Sequence, residues 1–201
     1  YFDTGAMYRA CTYSIIKKQV NLDDFAALEE FFKNFDFDIK VKFGEKRYYV
    51  GEEDVTDAIR QDAVTSQVSR ISANAKVREK MVDLQREHAK GVNAVFEGRD
   101  MGTVVFPDAQ LKIFLTGRND VRAKRRFEEM KAKYPEQSKD LTLDKVLQDI
   151  LARDEYDTNR EISPLKRAED AFEVDTSDLN QQEIVYKILE LKDTRKHRAP
   201  A

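Results

Sequence analysis

The sequence predicts an α/β fold: a parallel sheet flanked by helices, with a small antiparallel β insertion. Three observations carry that expectation. Short apolar runs at Tyr1-Phe2, Val92 to Phe96, Leu111 to Leu115 and Ala171 to Val174 alternate with stretches of helical period. That is the pattern of buried strands joined by helical crossovers. Between Phe35 and Val50 the period changes to two, with a turn at Gly44, which reads as a hairpin set apart from the alternation. Finally, the stretch Glu97 to Asp108 leaves an apolar run carrying Gly98, Arg99, Asp100 and Gly102. A charged loop at the end of a buried strand is where open α/β sheets place their ligands.

Each element follows from local pattern. Tyr1-Phe2 is a strand end, followed by Asp3-Thr4-Gly5 as turn and cap, with Thr4 the expected N-cap. Met7, Cys11, Ile15 and Ile16 recur at helical spacing, predicting a helix over 6–19. A second helix is expected over 23–34, with Phe25, Leu28, Phe31 and Phe32 on one face. In the hairpin, Phe37, Ile39, Val41 and Phe43 alternate before Gly44, and Tyr48 and Val50 follow it. The segment 51–54 reads as a loop, and 57–69 and 76–90 as helices. After the central loop come a strand at 111–115, a charged helix at 119–133, a polar loop at 134–140 and a helix at 143–157 capped by Thr142. An irregular link at 158–164 precedes a strand at 171–174, a helix at 180–191 and a basic tail from Lys192 that reads as frayed.

Composition narrows the function classes. The chain has 201 residues, 36% of them charged, and a net charge of −3, which argues against a general nucleic-acid binder. A small anionic ligand remains open, because basic clusters can sit inside an acidic whole. One cysteine, Cys11, excludes an intrachain disulfide framework and fits a reducing cytoplasm. No apolar run approaches about 18 residues, and no signal peptide is visible. With His88, His197 and one cysteine there is no zinc-ligand spacing, and no metal ligands are expected from the protein.

The chemistry-bearing residues are mostly arginines. Arg9 lies one turn into the first helix and can lean back toward the strand end. Ser66 and Arg78 fall in the helices after the hairpin. Arg99 and Asp100 occupy the central loop. Arg153, Asp157 and Arg160 stand at i, i+4 and i+7, one face if the helix persists. Arginine suits phosphate because its planar fork donates two parallel hydrogen bonds. Singly, each site also has an ordinary explanation. Arg153 and Asp157 alone would be an exposed pair worth about 0.3–0.5 kcal/mol, and Arg122, Arg125 and Arg126 a solvated helix face.

Taken together, these residues carry a resemblance. Asp3-Thr4-Gly5-Ala6-Met7-Tyr8-Arg9, Thr65-Ser66-Gln67-Val68, Val77-Arg78, the run from Gly98 to Pro107, the run from Arg153 to Arg160, Ser163-Pro164-Leu165 and Asp175-Thr176-Ser177 stand in the order and near the spacing of bacterial-type cytidylate kinases. The chain resembles that family from Tyr1 to about Leu191, with Glu97 where members commonly have Asp, and Thr4 and Thr158 where many have Ser. The resemblance implies a P-loop NTPase-like nucleoside monophosphate kinase fold with a helical lid. It implies core and NMP-binding helices over 1–34 and an NMP-binding insertion over 35–91. Core strands and the central loop would span 92–117, the lid and flanking helices 118–160, and the last strand, helix and tail 161–201. The implied activity is transfer of a phosphoryl group from ATP, with Mg²⁺, to CMP and dCMP, by a cytoplasmic monomer without nucleic-acid or membrane partners. By the same resemblance Thr4, Arg78 and Asp100 face the cytosine, and Ser66, Arg153 and Asp157 hold the pentose. Arg9, Arg99 and Arg160 hold the CMP phosphate and the transferring group, while Arg122, Arg125 and Arg126 belong to the lid over the ATP phosphates.

One part of that machinery is not in these residues. No Gly-x-x-x-x-Gly-Lys-Ser/Thr run occurs, and the chain starts at Tyr1 inside what reads as a running strand. The expectation is that an N-terminal segment bearing the ATP cradle precedes Tyr1, and that these residues alone are poorly stable and inactive. The alternative is a non-catalytic nucleotide-binding or interaction protein of the same descent.

Overall fold

The computed structural model describes residues 1–136 and 138–196. The chain divides into two compact units, residues 1–101 with 160–162, and residues 102–159 with the residues from 163 onward.

The first unit opens with a short strand, β1 (Phe2–Asp3), that runs directly into α1 (Thr4–Lys17). The cap of α1 is Asp3, not the expected Thr4. Asp3 is extended, at φ −85° and ψ 94°, and its carboxylate accepts from the Ala6 amide at 2.8 Å. An aspartate already at the strand end satisfies an orphan amide better placed than Thr4 could. Thr4 becomes the first helical residue and its hydroxyl is released for another partner. Ala6, Met7, Ala10, Cys11 and Ile15 are buried, so α1 is the spine of this unit's core. Packed around it is α2 (Phe25–Lys33), capped by Asp24. Leu28 and Phe31 of α2 enter the core; Phe25, expected on the same face, stands at the first helical position and is exposed.

The hairpin forms in the expected place as β2 (Phe37–Lys42) and β3 (Glu45–Val50), paired from Phe37↔Val50 to Lys42↔Glu45. Its loop is the two residues Phe43 and Gly44, at φ 54° and 82°. Two consecutive positive φ angles match the turn that the right-handed twist of paired strands favours, and Gly44 takes its share without strain. The alternation Phe37, Ile39, Val41, Phe43 outruns the core: Phe37 is buried, while Val41 and Phe43 at the tip are exposed. The segment read as a loop contains a third strand, β4 (Glu53–Asp54), antiparallel to β3. The helix expected over 57–69 is three pieces: a 3₁₀ turn (Ala58–Arg60), α3 (Asp62–Thr65) and α4 (Val68–Ala73). Gln61 is extended at ψ 154°, and Thr65 and Ser66 bond their hydroxyls back to the Gln61 and Asp62 carbonyls. Ile59, Val64, Val68 and Ile71 are all buried at uneven spacing, which one straight helix could not achieve. Asn74 then caps α5 (Ala75–Ala89) by accepting from Lys76 and Val77. The last strand of this unit is β5 (Phe96–Glu97), parallel to β1 in the register Phe2↔Phe96 and Asp3↔Glu97. This strand is shorter than expected, and Val92 and Val95 before it are exposed rather than buried.

A π-helical turn (Met101–Val105) follows the central loop. The second unit holds β6 (Ile113–Thr116) and β7 (Phe172–Asp175), again parallel, from Ile113↔Phe172 to Thr116↔Asp175. Among the described residues the expected parallel sheet is therefore two separate parallel pairs. The helices α6 (Asn119–Lys133) and α7 (Leu143–Asn159) pack on one another, with Ala123 and Val146 buried. Thr142 caps α7 as expected, accepting from Lys145. The helix stops at Asn159, one residue before Arg160, so the expected single face of Arg153, Asp157 and Arg160 is not formed. The last helix, α8 (Gln181–Lys196), begins with a reciprocal cap. Asn180 accepts from Gln182 and Glu183, and Glu183 reaches back to the Asn180 amide. The tail expected to fray is helical as far as Lys196; 197–201 lie outside the described residues. No described helix is long and apolar enough to cross a membrane.

Candidate active site

Parallel pairing ends β1 and β5 side by side, so the loop after β5 lies against the start of α1. Thr4 Oγ1 donates to the Glu97 carbonyl at 2.6 Å. At Gly98 a Cβ would stand 2.5 Å from Thr4 Oγ1 and 2.7 Å from Met101 Cε. Only a residue without a side chain lets the loop come this close, which explains the glycine in physical terms. Arg9 leans back along α1 as its spacing suggested, with Nη2 3.4 Å from Asp3 Oδ2. Asp3 thus does two jobs, capping the helix and holding the arginine. The insertion reaches the same carboxylate: burial first, then Asp3, raises the pKa of the Tyr48 hydroxyl on β3.

Asp100 and Arg78 form the buried centre of this arrangement. Arg78 Nη2 donates to Asp100 Oδ2 at 2.6 Å, and the two side chains are 4% and 3% exposed. Arg78 Nη1 donates to the Ser72 carbonyl at 3.0 Å, and the guanidinium lies over the Tyr8 ring, 5.5 Å from its centroid. This is a fixed donor–acceptor edge, buried at the C-terminal end of a parallel strand pair. Arg99 and Arg160, both half-buried, belong to the same unit. Ser66 is exposed at the end of α3, and its hydroxyl donates to the Asp62 carbonyl at 2.6 Å. Its oxygen keeps lone pairs for an incoming hydroxyl.

In the second unit, Arg153 Nε lies 3.9 Å from Asp157 Oδ2; Arg153 is half exposed and Asp157 buried. Arg122 is braced by Asp154, with one bond at 3.2 Å. Arg125 donates to the Thr176 and Leu179 carbonyls, both at 2.8 Å, and Arg126 pairs with Glu129 at 3.0 Å. Each of these three arginines is thus held by a partner within its own unit.

The cytidylate kinase family model matches residues 1–194. The chain belongs to the cytidylate kinase family. The cytidylate kinase of Protochlamydia amoebophila is 59% identical over all of this chain and 88% of that relative. Those of Halalkalibacterium halodurans and Bacillus licheniformis are 44% and 45% identical, over 94% and 97% of this chain and 83% and 85% of theirs. Membership makes the protein a kinase, a phosphotransferase of the P-loop NTPase fold, with its antiparallel sheet as a small insertion.

Sequence reasoning missed three residues of this site. Asp3 was passed over as a cap in favour of Thr4, although a carboxylate directly before a helix was the signal. Gly98 belongs to the charged central loop and the matched run without a role of its own; nothing local announces how close Thr4 comes. Tyr8 lay inside the matched run from Asp3 to Arg9 without a role.

Proposed function

We propose that the protein phosphorylates CMP and dCMP from ATP, yielding CDP and dCDP. The observation that supports this best is the buried Arg78–Asp100 edge beside Thr4. It offers fixed donors and a carboxylate acceptor to a base that presents an exocyclic amine beside ring acceptors. In this reading Asp100 and Thr4 meet the cytosine amine, and Arg78 the neighbouring acceptors. Ser66, Arg153 and Asp157 hold the pentose hydroxyls, with Ser66 accepting while its proton stays on Asp62. Arg9, Arg99 and Arg160 hold the CMP phosphate and the group in transit. Phosphoryl transfer asks the protein mainly for alignment and for neutralisation of charge on the equatorial oxygens, and arginines supply both. Arg122, Arg125 and Arg126 would take ATP phosphates by exchanging their present carboxylate and carbonyl partners for phosphate oxygens.

Among the described residues no three His, Cys, Asp or Glu side chains cluster as a metal cage. Mg²⁺ would sit on the ATP phosphates, where it would neutralise charge when bound. The 201 residues contain no Gly-x-x-x-x-Gly-Lys-Ser/Thr cradle. We infer that these residues by themselves bind CMP but do not turn it over.

Calorimetric titration with CMP, dCMP, UMP and AMP tests the substrate assignment. CMP and dCMP are expected to saturate and AMP is not; tighter AMP binding would overturn the base assignment. A coupled ATP-consumption assay with CMP on the same 201 residues is expected to stay at background, and sustained turnover would overturn the inference about the cradle.

A further inference from the structure

Tyr8 stands one helical turn after Thr4, so both side chains emerge from one face of α1. Its ring lies under the Arg78 guanidinium, and the residue is 9% exposed. Its hydroxyl makes no hydrogen bond to any described residue, and neither does Arg78 Nε. Burying a hydroxyl with no partner is unfavourable, and phenylalanine would pack the same ring without that penalty. The hydroxyl is close enough to the site's charges to feel them. After burial, which raises its pKa to about 12, the strongest influences on it are Arg78 and Asp100, with Arg160 behind them. The ring's place under the Arg78 guanidinium puts the residue with the pair assigned to the base. It also stays protonated through the physiological range and can donate.

We propose that Tyr8 is a further substrate-binding residue, whose hydroxyl donates a hydrogen bond to an acceptor on the pyrimidine edge of the nucleotide. This rests on the reading of Thr4, Arg78 and Asp100 as the base site. With Asp100 accepting from the exocyclic amine, the ring nitrogen beside it and the 2-oxo oxygen of cytosine are acceptors, and a fixed donor is what they require. The ring of Tyr8 meanwhile supports the face of the Arg78 guanidinium.

The test is Tyr8→Phe in the full chain, read by calorimetry with CMP and with ribose 5-phosphate, and by thermal unfolding without ligand. A ligand-facing hydroxyl moves affinity and stability differently. CMP binding is expected to weaken about fivefold to tenfold, the scale of one hydrogen bond. Ribose 5-phosphate, which has no base, should bind as before, and the melting temperature should hold or rise. Unchanged CMP affinity overturns the proposal. So does an equal loss for ribose 5-phosphate, which would put the hydroxyl on the phosphate side. A melting temperature lowered by several degrees would make the hydroxyl structural, and overturns it as well. If the unsubstituted chain does not bind CMP, the functional reading fails first and this proposal with it.

Discussion

Replacing Arg78 by Met keeps an apolar stem of similar length and removes the guanidinium. Three interactions go with it: the 2.6 Å bond to Asp100, the 3.0 Å bond to the Ser72 carbonyl, and the contact with the Tyr8 ring. The larger effect is what remains. Asp100, 3% exposed, loses the guanidinium paired with it. Breaking a buried pair by removing one member costs about 3–5 kcal/mol, mostly from the ion left behind. Asp100→Leu should cost a similar amount, because it strands Arg78. The double variant Arg78→Met, Asp100→Leu removes both members of the pair, and apolar replacements of buried pairs are often neutral or stabilising. The double variant should thus be more stable than either single one. Urea unfolding, followed by circular dichroism and tyrosine fluorescence, measures all four proteins. High salt should leave the cycle nearly unchanged, since a buried pair is poorly screened. CMP binding should be lost in all three variants, because the donor and acceptor are both needed by the ligand. Additive single and double stabilities would refute the reasoning: the pair would then be proximity without coupling.

Other expectations follow from single residues. Arg99→Ala should weaken CMP binding about tenfold or more, the scale of lost charge-assisted hydrogen bonds. Arg118→Ala, an exposed residue paired with Asp178 at 3.0 Å, should change it less than about twofold by titration; equal losses would make the central loop structural. Gly98→Ala forces a methyl against Thr4 Oγ1 and Met101, and should destabilise by about 1–3 kcal/mol in urea melts while weakening CMP binding. Gln85 is 1% exposed and neither amide atom has a hydrogen-bond partner among the described residues. Gln85→Met should therefore stabilise the chain by about 1 kcal/mol or more, and a lowered melting temperature would show the amide to be bonded. Cys11 is fully buried, and burial pushes its thiol far above the ordinary range, favouring the neutral form. A thiol reagent at about pH 8 should react with the unfolded chain but not the folded one.

Much of this arrangement was legible because it is local. Hydrophobic period found α1, α2 and the hairpin, and Arg9 leans toward the strand end as its place one turn into α1 suggested. What was not legible depends on partners distant in sequence. The helix expected over 57–69 breaks because Ile59, Val68 and Ile71 each enter the same core, while Thr65 and Ser66 back-bond to carbonyls. Val92 and Val95 read as buried by composition, yet β5 pairs only through Phe96 and Glu97, and apolar character alone does not create a covering layer. Nothing in the sequence around Arg78 marks it as buried. Its burial is set by Asp100, 22 positions away, and no pattern within α5 reports that. Tyr8 was invisible for the same reason.

A chain of net charge −3 that handles anionic substrates needs its cations placed rather than numerous. In the first unit two of these cations, Arg9 and Arg78, are each held by an acid that has a second task. Asp3 caps α1 and holds Arg9; Asp100 holds Arg78 and offers an edge to the base. The acids cancel charge at a distance, which keeps the net sign acidic, while fixing guanidinium groups whose rotamers would otherwise have to be ordered on binding. That ordering is complete in the folded chain, so binding energy is left to align the reacting groups. The arrangement depends on backbone approach at one point. If Gly98 could not lie against Thr4, the loop would stand off from α1 by the width of a methyl group. Asp100 would then no longer meet an arginine delivered from α5. The glycine, which contacts no substrate in this reading, is therefore as necessary to the base site as the charged residues that follow it.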